Sequence, residues 1–181
     1  MIIAIDGPAA SGKGTLARSL AAHFRLAHLD TGKLYRAAAL HAIASGGDPA
    51  DPAVAGPAAE RVSAADLEDP RLRDEAVARA ASVVAAIPAV RQALLAFQRD
   101  FARHPPAAAG AVLDGRDIGT VVCPDATAKL FITASPEARA RRRFKELQEG
   151  GDEAIYERVL QDMKDRDARD SQRRAAPLVP A

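Results

Sequence analysis

Short apolar runs alternate with stretches of helical spacing along the chain. Residues 2–5 are apolar at consecutive positions, which predicts a strand that is buried on both faces of a sheet. Residues 26–29, 111–114 and 130–133 have the same character. Since helical segments separate these runs, the pattern predicts a three-layer α/β fold around a parallel sheet.

Helical segments are marked by apolar residues three and four positions apart and by residues that begin or end helices. Asp30 and Ser135 stand where N-caps are expected, and Gly46 and Gly150 where helices end. Residues 48–66 are rich in Ala, Pro and Gly, which predicts a loose connection or a mobile edge. The predicted helices are residues 15–24, 31–45, 70–87, 88–103, 136–149 and 153–170.

Composition narrows the classes of function. The 181 residues suffice for one domain with a buried core, and 25 basic against 24 acidic residues leave a net charge of +1. That balance argues against a general nucleic-acid binder, and 4% aromatic residues argue against a stacking platform for single strands. Cys123 is the single cysteine, so an internal disulfide framework is excluded and a reducing compartment is favoured.

The sequence carries no signal for a membrane or for export. No apolar run is long enough to cross a bilayer, and the N-terminus lacks the basic start and long apolar stretch of a secretory signal. We therefore expect a cytoplasmic protein with no membrane or nucleic-acid partner. The net charge leaves monomer and dimer open, and a monomer is the expectation.

The segment 7–15 is the most informative part of the sequence. It fits the pattern G-x-x-x-x-G-K between a predicted buried strand and a predicted helix, which is the context of a phosphate-binding loop. Its glycines let backbone N–H groups turn toward a polyphosphate, the helix N-terminus adds positive potential, and Lys13 adds a point charge. The expected ATP-binding residues here are Gly7, Pro8, Ala9, Ala10, Ser11, Gly12, Lys13, Gly14 and Thr15.

A flexible glycine turn is the alternative for this segment. The segment also departs from the usual pattern, because Gly14 stands where a hydroxyl ligand for Mg²⁺ is usual. Thr15 or water is then expected to serve the metal. Asp114, which ends an apolar strand where open α/β sheets bind ligands, would act on the metal through water. A capping or turn carboxylate is the other interpretation of Asp114.

Several segments together resemble a known family. The phosphate loop is followed by LDTGKLYR at 29–36, by LDGRDIGTVV at 113–122, and by RDARDS at 166–171 with APL at 176–178. Together they closely resemble the bacterial cytidylate kinases, the (d)CMP kinases. The resemblance covers nearly the whole chain and is weakest at 46–68.

The resemblance implies phosphoryl transfer from ATP to CMP or dCMP with Mg²⁺, in pyrimidine nucleotide metabolism. It implies one kinase domain with a five-stranded parallel core, a substrate-binding lobe and a mobile lid. Across residues 1–181, the core would be 1–45 and 107–134, the lobe 46–106, the lid about 135–152, and the last helix 153–170.

Two departures from the family pattern qualify this expectation. Many bacterial members carry a small β-rich insert in the substrate lobe, where this chain has only residues 48–66, so an abbreviated helical lobe is expected. The chain ends at Ala181, whereas known members continue with another strand and helix that contribute to the adenine pocket. A fragment and a naturally short chain both remain open.

The resemblance implies that Ser82, Arg91 and Asp117 contact the cytosine. A carboxylate accepts from the amino group of cytosine and repels the acceptor that uracil carries at the same position, while an arginine donates to the ring acceptors. Without the family, Ser82 and Arg91 would be an ordinary helical serine and a surface arginine.

Arg36 and Arg116 are the expected clamps for the acceptor phosphate, since a planar guanidinium grips two phosphate oxygens at once. Asp30 and Thr31 follow the second strand and could reach the acceptor, although helix capping explains them equally well. Tyr35, in the same segment, is assigned to the substrate by resemblance.

Arg139, Arg142 and Arg143 stand three and four positions apart on one predicted helical face. Like charges so placed repel, and anionic substrate would relieve the repulsion, as in a kinase lid. A solvated basic face is the alternative. The expected catalytic cations are Lys13, Arg116, Arg142 and Arg143, of which Arg142 is also expected to contact ATP.

Arg166, Asp170 and Arg173 share another predicted helical face. An ion-pair ladder explains them without any ligand. The resemblance implies instead that Arg166 and Asp170 hold the sugar and that Arg173 reaches toward the phosphates.

Other functions remain open from the sequence. A P-loop kinase for UMP, AMP or a non-nucleotide would carry the same loop, and a nucleotide-binding switch or a non-catalytic fragment would lack turnover. The Asn-Lys-x-Asp motif of GTPases does not occur, and the arginine-rich face favours turnover.

Overall fold

A parallel sheet lies at the centre of the molecule. A computed structural model of the chain describes residues 1–151 and 153–181, and in these residues the strands follow the order β2-β3-β1-β4. The strands are β1 (Ile2–Asp6), β2 (Ala27–Asp30), β3 (Ala111–Gly115) and β4 (Ala128–Phe131). The helices are α1 (Lys13–Phe24), α2 (Thr31–Ala44), α3 (Pro52–Glu60), α4 (Glu75–Val84), α5 (Pro88–Arg103), α6 (Pro136–Glu149) and α7 (Tyr156–Gln172). The predicted α/β class with a parallel sheet is confirmed.

The register of the central strands places two carboxylates near the same edge of the sheet, with their side chains toward opposite faces. β1 pairs with β3 from Ile2 opposite Ala111 to Asp6 opposite Gly115, so Asp6 and Asp114 lie at the same edge of the sheet. Both side chains are buried. Because open α/β sheets bind ligands outside the carboxyl ends of their strands, this edge is where a site is expected.

Alternate residues of the central strands face opposite helical layers. Ile3, Ile5 and Val112 pack with the buried alanines of α1 on one face. Ala4 and Leu113 point to the other face, where they join the larger core formed with α2, α3 and α5. This alternation is the ordinary consequence of the strand repeat, and it explains why both strands are apolar throughout.

The region 48–66 contains a helix that the sequence analysis did not predict. Asp51 caps α3 by accepting from the Ala53 N–H at 2.8 Å, and Pro52 occupies the first helical position. Ala55 and Ala59 are buried in the core beside α5. The expectation of a loose connection is therefore wrong for residues 52–60, because small alanines allow two helices to pack closely.

Other boundaries differ from the predictions by a few residues. The fourth strand spans Ala128–Phe131 rather than 130–133, and the predicted helix 70–87 divides into a 3₁₀ turn at Pro70–Arg73 followed by α4. The last helix ends at Gln172 instead of 170. Most of β4 is exposed, and its sequence therefore lacks the continuous apolar pattern that marks the central strands.

Helices α4 and α5 are the apolar pair of the structure. Among the described residues no single helix is long and apolar enough to cross a bilayer, and this pair passes that test only together, with a bend of 101° between its members. Val84, Val90 and Leu94 are buried in the core.

Helices α6 and α7 form a hairpin with its own small core. Ala140, Leu147, Val159 and Met163 are buried between them, and Ala9 of the loop after β1 packs against the same cluster together with Ala10. The division into core, lobe and lid remains a prediction, and the last residue of the predicted lid, Asp152, lies outside the described residues. The fifth strand that the resemblance implies does not occur among residues 1–151 and 153–181.

Candidate active site

The segment between β1 and α1 has the backbone that a phosphate-binding loop requires. Gly7 passes so close to the chain that a Cβ there would collide with the Ile132 carbonyl oxygen. Gly12, with φ of 97°, turns the chain into α1 from the left-handed region that favours glycine. Lys13 folds back over the loop and donates to the Pro8 carbonyl oxygen at 3.4 Å.

A cavity of about 200 Å³ opens beside this loop, at the carboxyl edge of the sheet. Its walls come from the loop, β3, α2, α4, α5 and α7. It brings together most of the residues singled out from the sequence: Ala9, Ala10, Lys13, Gly14, Asp30, Thr31, Tyr35, Arg36, Ser82, Arg91, Asp114, Arg116, Asp117, Arg166, Asp170 and Arg173. The predicted residues that do not line it are Gly7, Pro8, Ser11, Gly12, Thr15, Arg142 and Arg143.

One end of the cavity holds the residues that the resemblance assigns to the base. Arg91 donates to an Asp117 carboxylate oxygen and lies over the Tyr35 ring, 5.6 Å from its centre. Ser82 is buried and accepts from the Arg169 Nε at 3.3 Å. These contacts join residues from four helices and the loop after β3, so the wall is built from distant parts of the chain.

An ionic cluster surrounds Asp170 in the same cavity, and Arg173 joins it to Asp117, whose Oδ1 lies 3.7 Å from the Arg173 Nη2. Arg116 donates to Asp170 from Nε at 2.9 Å, and Arg173 approaches its other oxygen at 3.8 Å. Burial raises the pKa of Asp170, but the charges of Arg116 and Arg166 outweigh burial and hold that pKa below its usual value. The ion-pair ladder that was the alternative interpretation is present in part: Asp170 and Arg173 form the i,i+3 pair, although the shorter contact of Asp170 is with Arg116.

The cavity carries an excess of positive charge. Its lining has six basic side chains and four carboxylates: Lys13, Arg36, Arg91, Arg116, Arg166 and Arg173 against Asp30, Asp114, Asp117 and Asp170. Two buried donors, the Arg166 Nε and the Arg173 Nη2, have no hydrogen-bond partner among the described residues, although the Arg173 Nη2 lies 3.7 Å from the Asp117 carboxylate. Since unsatisfied buried donors are unfavourable, the cavity is suited to an anion that accepts from them.

Buried cations close to one another have lowered pKa values here. Burial, and next the charge of Arg116, lower the pKa of Lys13 to about 7. Burial and the same Arg116 charge lower the pKa of Arg166 to about 10. A bound polyphosphate would favour the charged form of each group and raise both values.

Asp114 is held in place at the end of β3. His28 lies with Nε2 2.8 Å from one Asp114 oxygen, and Thr31 donates to the Asp114 carbonyl oxygen at 2.8 Å. The other carboxylate oxygen lies beside Gly14, 3.7 Å from the point where a Cβ would stand. Asp114 therefore borders the start of α1, as a residue acting on phosphate-bound metal through water would.

The residues present fit a Mg²⁺ ion that is held mainly by nucleotide oxygens and water. Among the described residues no three His, Cys, Asp or Glu side chains cluster closely enough to hold a metal themselves. Mg²⁺ often takes only one or two protein ligands in such sites. Thr15 is exposed, and its hydroxyl accepts from the Arg18 Nη2 at 3.3 Å.

The arginines of α6 already have protein partners. Arg139 is buried and pairs with Asp167 of α7 at 2.5 Å. Arg142 donates to the carbonyl oxygens of Ala10 and Ser11 at 3.3 and 3.1 Å, which joins α6 to the phosphate loop.

Arg143 pairs with Glu75 at the start of α4, and with Glu146 of its own helix at 3.3 Å. The bond to Glu75 links residues that are distant in sequence, and the sequence analysis did not foresee it. It joins α6 to α4 across a second cavity of about 780 Å³. Arg36, Ser82 and Arg166 line both cavities.

Residues that the sequence analysis missed include Asp6, His28, Arg99 and Glu75. Asp6 ends an apolar strand as Asp114 does, so the argument applied to Asp114 could have found it. The others are recognisable only from the fold, because their partners are distant in sequence.

The arrangement is thus a phosphate-binding loop beside a basic cavity with a paired arginine and aspartate. The model of the cytidylate kinase family matches residues 3–181. The chain belongs to the cytidylate kinase family. This membership confirms the resemblance drawn from the sequence and makes the chain a kinase.

Several relatives match over almost the whole chain. A cytidylate kinase of Paramagnetospirillum magneticum is 62% identical over 180 residues, which are 99% of this chain and 85% of the relative. One of Rhodospirillum rubrum is 60% identical over 180 residues, covering 99% and 84%. One of Methylobacterium sp. is 61% identical over 178 residues, covering 98% and 83%.

Proposed function

We propose that the chain transfers the terminal phosphoryl group of ATP to CMP or dCMP, giving ADP and CDP or dCDP. The observation that supports this most directly is the cavity beside the phosphate loop, whose lining includes both Lys13 and the Arg91–Asp117 pair. The family and the names of the relatives point to the same reaction.

The cytosine base occupies the end of the cavity formed by Ser82, Arg91 and Asp117. The Asp117 carboxylate accepts from the amino group of the base, and Arg91 donates to its ring acceptors. Uracil presents an acceptor in place of the amino group, so Asp117 disfavours it. The ring of Tyr35 makes a cation–π contact with the Arg91 guanidinium.

The acceptor phosphate lies between Arg36, Arg116 and Arg173. The Asp170 carboxylate orients Arg116 and Arg173, and with Arg166 it holds the sugar. Contacts of this kind do not require a 2′-hydroxyl, so a deoxy substrate is accommodated.

ATP binds on the loop 7–15, with Lys13 and the α1 N-terminus at its outer phosphates. Thr15 and water would hold Mg²⁺, with Asp114 acting through water, and the ion would supply positive charge that offsets the charge of the phosphates. Asp30 and Thr31 close the cavity between the two substrates.

We propose further that α6, which lies within the predicted lid region 135–152, closes over the phosphate loop as a lid. Arg142 already contacts the carbonyl oxygens of the phosphate loop, and Arg143 lies at the second cavity. On closure these arginines join Lys13 and Arg116 in stabilising the charge of the transferring group. The core is 1–45 and 107–134, and residues 46–106 form the substrate lobe.

The assay is ADP release with ATP and Mg²⁺, with CMP, dCMP, UMP, AMP and GMP as acceptors. Turnover with CMP and dCMP but little with the others is expected, and the Lys13→Ala variant gives the background. Preference for UMP or AMP would assign a different acceptor, and ATP binding without turnover on any acceptor would contradict the proposal.

The base contact has a separate test in Asp117→Ala. This variant is expected to lower the ratio of kcat/KM for CMP over UMP by about tenfold or more, since the contact that rejects uracil is lost. An unchanged ratio would remove Asp117 from recognition of the base.

We also propose that the protein works as a monomer in the cytoplasm. Burial raises the pKa of the Cys123 thiol, so this cysteine is an inert core residue that suits a reducing compartment. Light scattering on the purified chain measures the oligomeric state, and a dimer would contradict the first half of this proposal.

A further inference from the structure

A short helical turn, Ile118–Val122, follows Asp117 directly and determines where Asp117 lies. The Asp117 carbonyl oxygen accepts from the N–H groups of Val121 and Val122, at 2.9 and 3.1 Å. Asp117 is thus the first residue of the turn, and a shift of the turn would move its carboxylate. The turn is too short to be stable by itself, so neighbouring groups must hold it.

The beginning of the turn is held by Asp6. One carboxylate oxygen accepts from the Ile118 N–H and the other from the Gly119 N–H, both at 2.8 Å. Asp6 is 3% exposed, so both bonds are shielded from water. A carboxylate at this end matches the unpaired N–H groups with which every helical turn begins.

The end of the turn is held by Arg99 of α5. Its Nη2 donates to the Val121 carbonyl oxygen at 2.9 Å and its Nε to the Val122 carbonyl oxygen at 3.2 Å. A guanidinium at this end matches the carbonyl groups with which a helical turn ends. The Asp6 carboxylate thus binds the beginning of the turn and the Arg99 guanidinium binds its end, each with the charge that suits the backbone groups there.

Arg99 also ties the turn to the helix that carries the other predicted base contact. Arg91, about two helical turns earlier on α5, binds the Asp117 side chain. One helix thus binds the side chain of Asp117 through Arg91 and, through Arg99, the two residues whose N–H groups bind the Asp117 carbonyl oxygen.

We propose that Asp6 and Arg99 are positioning residues that set the Asp117 carboxylate for discrimination between cytosine and uracil. This inference rests on the proposed function, because it assumes that Asp117 contacts the base. Neither residue lines the substrate cavity, so each acts through the turn. Asp6 precedes the phosphate loop directly and its replacement would also disturb ATP binding; Arg99 is therefore the residue to test.

The experiment compares kcat/KM for CMP and UMP in Arg99→Ala with the same values in the unmodified protein. We expect the CMP over UMP ratio to fall about tenfold, as a small displacement of a contact group suffices for such a loss, while KM for ATP stays unchanged. Arg103→Ala, an exposed arginine on the same helix, is the matched control and should leave the ratio unchanged. A structural role alone would lower both kcat/KM values equally, and that result would overturn the inference.

A double variant separates the inference from its premise. If Arg99 acts through Asp117, Arg99→Ala changes the ratio no further in the Asp117→Ala background. A lowered ratio in Asp117→Ala with no change in Arg99→Ala would overturn the inference alone, whereas an unchanged ratio in Asp117→Ala would overturn the base contact as well.

A conservative variant covers the case in which Arg99→Ala does not fold. Arg99→Lys keeps the positive charge but cannot donate to both carbonyl oxygens from one planar group, so an intermediate ratio is expected. Equal thermal midpoints would show that Arg99→Lys folds as the unmodified protein does. If the CMP over UMP ratio of that variant were also unchanged, two hydrogen bonds from one guanidinium would not be needed.

Discussion

ATP binding should take up a proton at Lys13, and the affinity should therefore fall as the pH rises above neutrality. In the protein without nucleotide, burial and the charge of Arg116 lower the pKa of Lys13 to about 7. Phosphate oxygens next to the ammonium group favour its charged form, so binding raises that pKa. At a pH between the pKa of Lys13 in the free protein and its higher pKa in the complex, Lys13 is neutral in the free protein and charged in the complex.

The size of the effect follows from this linkage. The dissociation constant rises by about tenfold for each pH unit between the free and bound pKa values. From pH 7.5 to pH 9 the affinity should thus fall by roughly 25-fold, provided that the bound Lys13 stays charged throughout. The second ionisation of phosphate, near 6, lies below this range and does not contribute.

Calorimetric titration of MgATP in buffers of different ionisation enthalpy measures both quantities. Proton uptake close to one per nucleotide is expected near pH 8.5, together with the weakening of binding. Lys13→Arg is the control, because a guanidinium stays charged over this range and its variant should bind with little pH dependence. A flat affinity and no proton uptake in the unmodified protein would refute the assignment of a buried, partly neutral Lys13.

Three further predictions address stability and the bond between α6 and α4. Lys13→Met should raise the thermal midpoint at pH 7, and this gain should shrink toward pH 10.5. Between pH 7 and pH 10.5 the unfolded chain binds more protons than the folded protein, so the stability of the unmodified protein rises with pH. A gain that does not change with pH would contradict this prediction. Leu94→Ala should lower the free energy of unfolding in urea by about 2–5 kcal/mol, since Leu94 is 1% exposed in the main core, whereas Ala96→Gly, on the exposed side of the same helix, should lower it by only about 1 kcal/mol. Glu75→Gln should release Arg143 from α4 and lower KM for nucleotide by about two- to fivefold, while Glu146→Gln, which removes its partner on the same helix, should change KM less; a raised KM in Glu75→Gln would show that the bond assists binding.

The parts of the fold that were predicted correctly depend on local patterns. The loop 7–15 has a spacing that few other structures require, and its flanking strand and helix follow from continuous apolar residues and helical periodicity. Asp30 and Ser135 cap helices as expected, with their oxygens 2.9 and 3.2 Å from the N–H groups of Gly32 and Ala138. Such features involve residues close in sequence, so their physical signal is visible in the chain itself.

The features that were missed depend on contacts between distant residues. Helix α3 lacks long apolar side chains, and its alanines became informative only once α5 was seen to lie against them. Arg99 and Asp6 bind backbone groups of the turn 118–122, and a backbone partner leaves no mark in the sequence. Arg91 and Asp117 were brought together by resemblance to a family, since nothing in their spacing indicates a pair.

The contact of Ala9 and Ala10 with the α6–α7 hairpin means that part of the phosphate loop belongs to a hydrophobic core. The shape of the loop is then a property of the packing around Met163 and Leu147 as well as of its glycines. Substitutions in that small core should therefore affect nucleotide binding as well as folding. Substitutions at Leu147 and Met163 should accordingly affect nucleotide binding through the shape of the loop.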